Sequence, residues 1–161
     1  MNTEAALRCG WDAAVAPYCI TPGADFPTTK AYYIAQLYAA TIAEGVDASI
    51  YYSVRGDWLK TYLVDPDDPS QQAYVAYQVA SDSLAKTTFS RKIEEYTGVR
   101  GYELNFRGGR IWVILSADGF DHSIDLPSQP DSAWDPFGNA VTIPGTTLTV
   151  GISPVYLRWV P

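Results

Sequence analysis

Basic residues are scarce in this chain of 161 residues, where 11 lysines and arginines stand against 18 aspartates and glutamates for a formal net charge of −7. The one adjacent basic pair is Arg91-Lys92. A surface held to nucleic acid or to an anionic membrane by counterion release is therefore not expected. Cysteine is nearly absent. Cys9 and Cys19 match no zinc spacing and are too few for a disulfide framework, so they read as free thiols, with a bridge across the intervening loop as the alternative. No apolar run approaches the roughly 18 residues of a spanning helix, and Met1-Asn2-Thr3-Glu4 has neither the basic start nor the apolar core of a signal peptide. Charge as a whole is thin, at 18% of residues against about 25% in an average soluble domain.

Aromatic residues are plentiful: five tryptophans, twelve tyrosines and five phenylalanines. With 47% hydrophobic residues this excludes a disordered chain and indicates one ordinary globular domain or two small ones. It also suits neutral partners that pack on rings. The acidic excess lies almost wholly in residues 1–85, with 4 basic and 10 acidic residues; residues 86–161 have 7 and 8.

The two parts differ in period. Thr28-Thr29 after Pro27 suit an N-cap, the Ala/Leu/Ile/Tyr-rich stretch Lys30–Glu44 suits a helix, and Gly45 suits its C′ stop. Apolar residues spread round much of that helix, which therefore expects neighbours on more than one side. Ala48–Val54 is a short, nearly continuous apolar run of the kind found in parallel strands buried on both faces. A loop with Trp58 and the turn-rich Asp65-Pro66-Asp67-Asp68-Pro69 follows. Ser70 then suits the cap of a second helix to about Leu84, with Ala73, Tyr74, Tyr77, Ala80 and Leu84 on its inner face.

After Ala85 the period drops to two. Gly101–Arg107 and Arg110–Ser116 alternate about Gly108-Gly109, a two-residue hairpin signal. Further strands are expected at Thr88–Ile93, His122–Leu126, Ala140–Ile143, Thr147–Ile152 and Val155–Val160, which together indicate an antiparallel sandwich. Apolar residues on both sides of Arg110–Ser116 make it a central strand, with one face in the sandwich core and the other covered by the helix Ser70–Leu84. In the first part there is one full strand and at most the stub of another around Met1–Leu7. Two strands close no barrel and make no independent parallel sheet. The chain therefore expects either self-association or a missing N-terminal portion.

The order of elements resembles the C-terminal quarter of a (β/α)8-barrel retaining glycoside hydrolase of clan A, followed by its β-sandwich appendage. Lys30-Ala31-Tyr32-Tyr33 through Ala43-Glu44-Gly45-Val46, with Ile50-Tyr51-Tyr52-Ser53, resembles the seventh helix and eighth strand. Gln72-Ala73-Tyr74-Val75-Ala76-Tyr77 resembles the eighth helix. Trp134-Asp135-Pro136-Phe137-Gly138-Asn139 and Ser153-Pro154-Val155-Tyr156-Leu157 resemble the last strands of the sandwich. The fold class implied is α/β plus all-β: an incomplete barrel segment of about two βα units over residues 1–85, then an antiparallel β-sandwich over residues 86–161.

By that resemblance Glu4 stands where the family has its nucleophile, at the C-terminal end of the seventh strand. A retaining glycosidase needs a second carboxyl group about 5–5.5 Å away as acid/base. No segment of this chain corresponds to the family's Asn-Glu that supplies it, so the chain alone is expected to be inactive. Trp58, Tyr52 and Trp11 are the candidate sugar-lining residues, since an aromatic face stacks on the apolar C–H face of a sugar ring. The implied partner is carbohydrate; no cofactor, metal, nucleic acid or membrane is implied, and a secreted or periplasmic setting suits the parent. Read without the resemblance, Glu4 is a solvated N-terminal carboxylate and Trp58 a rim cap.

Three other constellations carry less. His122, the only histidine, lies beside a glycine turn near Ser123 and several carboxylates, and reads as a loop residue, since a triad is judged by geometry. Asp65, Asp67 and Asp68 lack the spacing of a calcium loop. Gly108-Gly109 precedes a strand where a phosphate loop needs a helix. The competing class is a non-catalytic carbohydrate-binding or structural β-sandwich module with a helical collar.

Overall fold

The computed structural model describes residues 2–5, 7, 25–47, 49–51, 54–55, 61–64 and 70–161, with residues 2–5 described at the level of backbone pairing. The elements run β1 (Asn2–Ala5), α1 (Phe26–Ala43), β2 (Ser49–Tyr51), α2 (Gln72–Leu84), β3 (Thr88–Ile93), β4 (Val99–Phe106), β5 (Gly109–Ser116), β6 (His122–Asp125), β7 (Ser132–Trp134), β8 (Thr147–Val150) and β9 (Val155–Trp159). This is a small, sheet-rich α/β arrangement with two helices. β1 and β2 pair in parallel. β3-β4-β5-β9-β7 form a five-stranded antiparallel sheet, and β6-β8 a separate antiparallel ribbon.

α1 begins four residues before the expected Lys30. Pro27 lacks an N–H and has a preset φ, so it belongs inside a first turn. The cap falls on Asp25, not on Thr28-Thr29, and Asp25 Oδ1 accepts the Thr28 N–H at 2.9 Å. Thr28 is thereby free to donate through Oγ1 to Gln72 Oε1 at 2.7 Å, which joins the start of α1 to the start of α2. At the other end Gly45 at φ +67 lets its own N–H reach the Ile42 carbonyl and that of Val46 reach Thr41, the paired bonds of a Schellman stop.

α2 starts at Gln72 after Gln71 in the left-handed region, with no side-chain cap, so the expected cap at Ser70 is not used. Its buried face is Ala73, Ala76, Ala80 and Leu84. Small residues let the two helices approach closely. Tyr74, expected on that face, is pushed outside and is 38% exposed. Tyr77 keeps an edge-on contact with Tyr38 at 5.7 Å.

β5 is central, flanked by β4 and β9. Trp112 and Ile114 point into a core closed by Ile124, Leu148 and Val150 of the ribbon. Ile111 and Val113 point the other way, against Ala35 and Ala39 of α1 as well as Leu84 of α2. The covering helix is thus not α2 alone, as the sequence had suggested. Each such aliphatic side chain contributes about 1.5–3 kcal/mol on full burial.

The hairpin turn falls one residue earlier than expected. Phe106 pairs with Gly109, so Arg107-Gly108 is the loop, and Gly108 alone takes a positive φ of +96. Gly109 is needed for another reason: a Cβ there would run into the Trp159 carbonyl oxygen of the neighbouring strand. The expected strand Ala140–Ile143 reduces to a single bridge from Ala140 to Trp134 in β7, a three-residue strand with no alternation long enough to read. Between them, Asp135 Oδ1 accepts the N–H groups of Phe137 and Asn139, closing the Asp-Pro-Phe-Gly-Asn turn. Phe137 at its tip reaches Tyr32 of α1, 6.3 Å between ring centres.

Candidate functional site

Glu4 lies on β1. The register of the parallel pair runs Asn2 opposite Ser49 and Ala5 opposite Tyr51, so Thr3 and Glu4 together face the single residue Ile50. The register irregularity therefore falls between Asn2 and Ala5, the interval that contains Thr3 and Glu4. An extra residue in one strand bends it and re-aims a side chain.

β2 presents its two sides differently. Tyr51 is buried among Ala31, Ile34, Ala73 and Ala76 of the helices. Burial pushes its phenol pKa well up. Ile50 is 53% exposed and Val54 is 59% exposed. The expectation of a strand buried on both faces is therefore not met within this chain: one face is packed and the other is bare.

The loop after β2 is anchored at both ends. The Val64 N–H donates to the Val54 carbonyl at 2.9 Å, and Thr61, Tyr62 and Leu63 are buried. The fully buried Lys30 of α1 donates through Nζ to the Tyr62 carbonyl at 2.9 Å, and its ammonium stands over the rings of Phe26 and Tyr62 at 5.2 and 5.1 Å. Cation–π contacts of this kind gain strength when desolvated. The first turn of α1, the start of α2 and the loop after β2 thus gather at one end of the helix layer. In α/β architectures that end, beyond the C-termini of parallel strands, is where ligands bind.

Of the candidate nucleophile and sugar-lining residues, only Glu4 is placed, on the backbone of β1. Trp11, Tyr52 and Trp58 lie outside the described residues, as do Cys9, Cys19, Asp65, Asp67 and Asp68. Among the described residues no three His, Cys, Asp or Glu side chains gather as a metal site.

His122 opens β6, with Nε2 2.7 Å from Asp118 Oδ1. That oxygen also accepts the Ser116 hydroxyl at 3.0 Å and the Phe120 N–H at 3.0 Å. The histidine bond above all, then the Phe120 amide, holds the Asp118 carboxyl down to about 2. The aspartate therefore sits between serine and histidine, whereas nucleophilic catalysis needs the imidazole on the hydroxyl. This cluster closes a loop. Gly98 at φ +76 packs against the His122 ring so closely that a Cβ would collide with it.

One buried acid was not foreseen. Glu103 of β4 accepts the Trp112 Nε1–H at 2.7 Å, the Ser90 hydroxyl at 3.1 Å and the Arg91 Nε–H at 3.3 Å. In a strand that alternates, a glutamate reads as solvent-facing, and nothing local announces the indole across the ladder.

No family model matches the chain, and no curated protein matches it in sequence. Solved structures do. A family 39 glycoside hydrolase from the gut symbiont Bacteroides cellulosilyticus superposes with a TM-score of 0.64 at 16% identity, over 88% of this chain and 32% of its own. A GH30 endoxylanase from Clostridium papyrosolvens gives 0.55 at 13% identity, over 83% of this chain and 39% of its own. The likeness is one of fold: the chain has a glycoside-hydrolase-related fold and spans between about a third and two fifths of those proteins' length.

Proposed function

We propose that this chain is the C-terminal part of a retaining glycoside hydrolase acting on oligo- or polysaccharide. In this reading residues 1–85 supply the last two βα units of a barrel and residues 86–161 its sheet appendage. The observation that carries it is the parallel pairing of β1 with β2 around the 18-residue α1, followed by a helix and an antiparallel sheet, in a fold that superposes on the two hydrolases. The exposed Ile50 of β2, with Val54 exposed just after it, supports missing packing partners over a self-sufficient module.

Glu4 is the proposed nucleophile. The register irregularity at Thr3-Glu4 supports this, because bulges recur beside active sites, where they turn a side chain out of the ladder. Its carboxylate would attack the anomeric carbon, form a glycosyl ester and expel the leaving group, which an acid/base carboxyl elsewhere in the parent protonates; water then hydrolyses the ester. Trp58, Tyr52 and Trp11 are proposed to line the sugar cleft. One superposed structure is an endoxylanase, which makes xylan the first substrate to try.

The test restores the upstream coding sequence and treats the full enzyme with a fluorinated glycoside that traps the covalent ester. Mass spectrometry should find the label on Glu4, and Glu4→Gln should lose several orders of magnitude in turnover, since an amide is a far weaker nucleophile. A label on another residue overturns the assignment.

A further inference from the structure

At the far end of the helix layer the surface is grooved. α2 runs 13 residues, about 20 Å, from the Thr28–Gln72 junction to Leu84. Its last turn lies beside the edge strand β7 and its neighbour β9. Two hollows lie there, of about 270 and about 420 Å³, and they share Asp82, Ser83 and Trp134 as walls. Phe106 and Arg158 complete one and Ser132 the other. Their sizes approach or fall within the range of about 300–1,000 Å³ typical of small-ligand pockets, and through their shared walls they adjoin as one grooved area, called the trough below.

Its chemistry is mixed in a specific way. The Trp134 indole stacks parallel on the Tyr156 ring, 5.8 Å between centres and 4° between planes, which fixes its orientation from behind. The Arg158 guanidinium stands 4.6 Å over the Phe106 ring, held at the mouth of the trough. Asp82 offers a carboxylate, and Ser83 and Ser132 offer hydroxyls. None of these three side chains makes a hydrogen bond or ion pair among the described residues. One anionic and one cationic group offset each other, so the trough does not select for charge. An indented aromatic surface, balanced charge and uncommitted hydroxyl-type partners match a neutral polyhydroxylated chain: C–H faces pack on rings while hydroxyls donate to Asp82 and accept from Arg158.

We propose that this trough is a second carbohydrate-binding site, holding about two units of a neutral polysaccharide away from the end where Glu4 lies. The choice of ligand chemistry rests on the glycosidase reading above; the site itself rests on the trough. Such a site would keep a polymeric substrate tethered between cleavage events.

The experiment is native affinity electrophoresis of this chain in gels containing soluble arabinoxylan, mixed-linkage β-glucan or galactomannan, with the restored full-length parent run beside it. At least one polysaccharide should retard both. Asp82→Ala, a solvent-facing change that leaves the core untouched, should weaken the dissociation constant from retardation at least fivefold, and Trp134→Ala should abolish retardation. Near-UV circular dichroism reports whether the tryptophan variant keeps its fold, and Arg158→Ala repeats the test without touching the Trp134–Tyr156 stack. Undiminished retardation in both Asp82→Ala and Arg158→Ala overturns the proposal, as does no retardation by any of the three polymers. Retardation lost in Trp58→Ala and kept in Asp82→Ala also overturns it and leaves the glycosidase reading intact. Retardation of the isolated chain but not of the parent overturns it too, since the trough would then be covered by another part of the enzyme.

Discussion

The Trp112 indole and the Glu103 carboxylate meet at 2.7 Å across adjacent strands β4 and β5, with Arg91 and Ser90 closing on the same carboxylate from β3. Trp112 is fully buried, so its N–H has no water to turn to. Replacing Glu103 by alanine should cost about 1–3 kcal/mol, the penalty of an orphaned buried donor. Chemical denaturation followed by tryptophan fluorescence reads this as a lower midpoint. Glu103→Gln keeps an acceptor for the indole and should recover much of the loss.

Asp118 predicts an acid limb. Its carboxyl titrates near 2 in the folded chain against an ordinary 3.8, chiefly because of His122. A depressed carboxylate stabilises the fold fully above its unfolded value and loses that contribution as pH falls through the folded one. The melting temperature should therefore decline between about pH 4 and about pH 2, and Asp118→Asn should flatten that part of the curve while lowering stability at neutral pH. An identical acid limb in the two proteins would remove the role given to this pair.

Ile50 on β2 and Val54 in the loop just after it stand more than half exposed. Exposed apolar side chains favour association. The isolated chain should form oligomers or aggregates by light scattering, and Ile50→Lys with Val54→Lys should shift it toward monomer. A monodisperse wild-type monomer with a cooperative melt would count against a missing barrel partner.

The chain alone should show no turnover of aryl xylosides, because one carboxylate cannot act as both nucleophile and acid/base in double displacement. In the restored enzyme Trp58→Ala should weaken substrate binding by about 1 kcal/mol, the scale of a lost aromatic contact, with a larger change in KM than in kcat. Hydrolysis by the 161-residue chain that vanishes in Glu4→Gln would refute the first statement.

Period and punctuation made much of this fold legible. The change from 3.6 to 2 after Ala85 separates helices from sheet, and the alternation in Arg110–Ser116 assigns Trp112 and Ile111 to opposite faces. Errors arose where a residue had two uses. Gly108 and Gly109 look alike in sequence, but one turns the chain and the other makes room for the Trp159 backbone. Pro27 looked like a helix boundary and sits inside the first turn, moving the cap to Asp25. Tyr74 satisfied the apolar stripe, yet alanine-to-alanine approach of the helices leaves no room for it. Glu103 was missed because its partner is across the ladder. The site was less legible: Glu4, Trp58, Tyr52 and Trp11 carry no local signature, and only the order of elements around them, read through a family likeness, singles them out.

α1 has two clients. Ala31 and Ile34 serve β2 and α2, while Ala35 and Ala39, one turn on, serve β4, β5 and β9. Adding or deleting a single residue in its middle would rotate one set by about 100° relative to the other, so neither neighbour could be satisfied without abandoning its counterpart. The helix is therefore a shared inheritance. Recombination that exchanged the sheet for a foreign module would need to carry α1 and α2 with it, and tolerated crossovers should fall ahead of Asp25 instead of at the seam after Leu84.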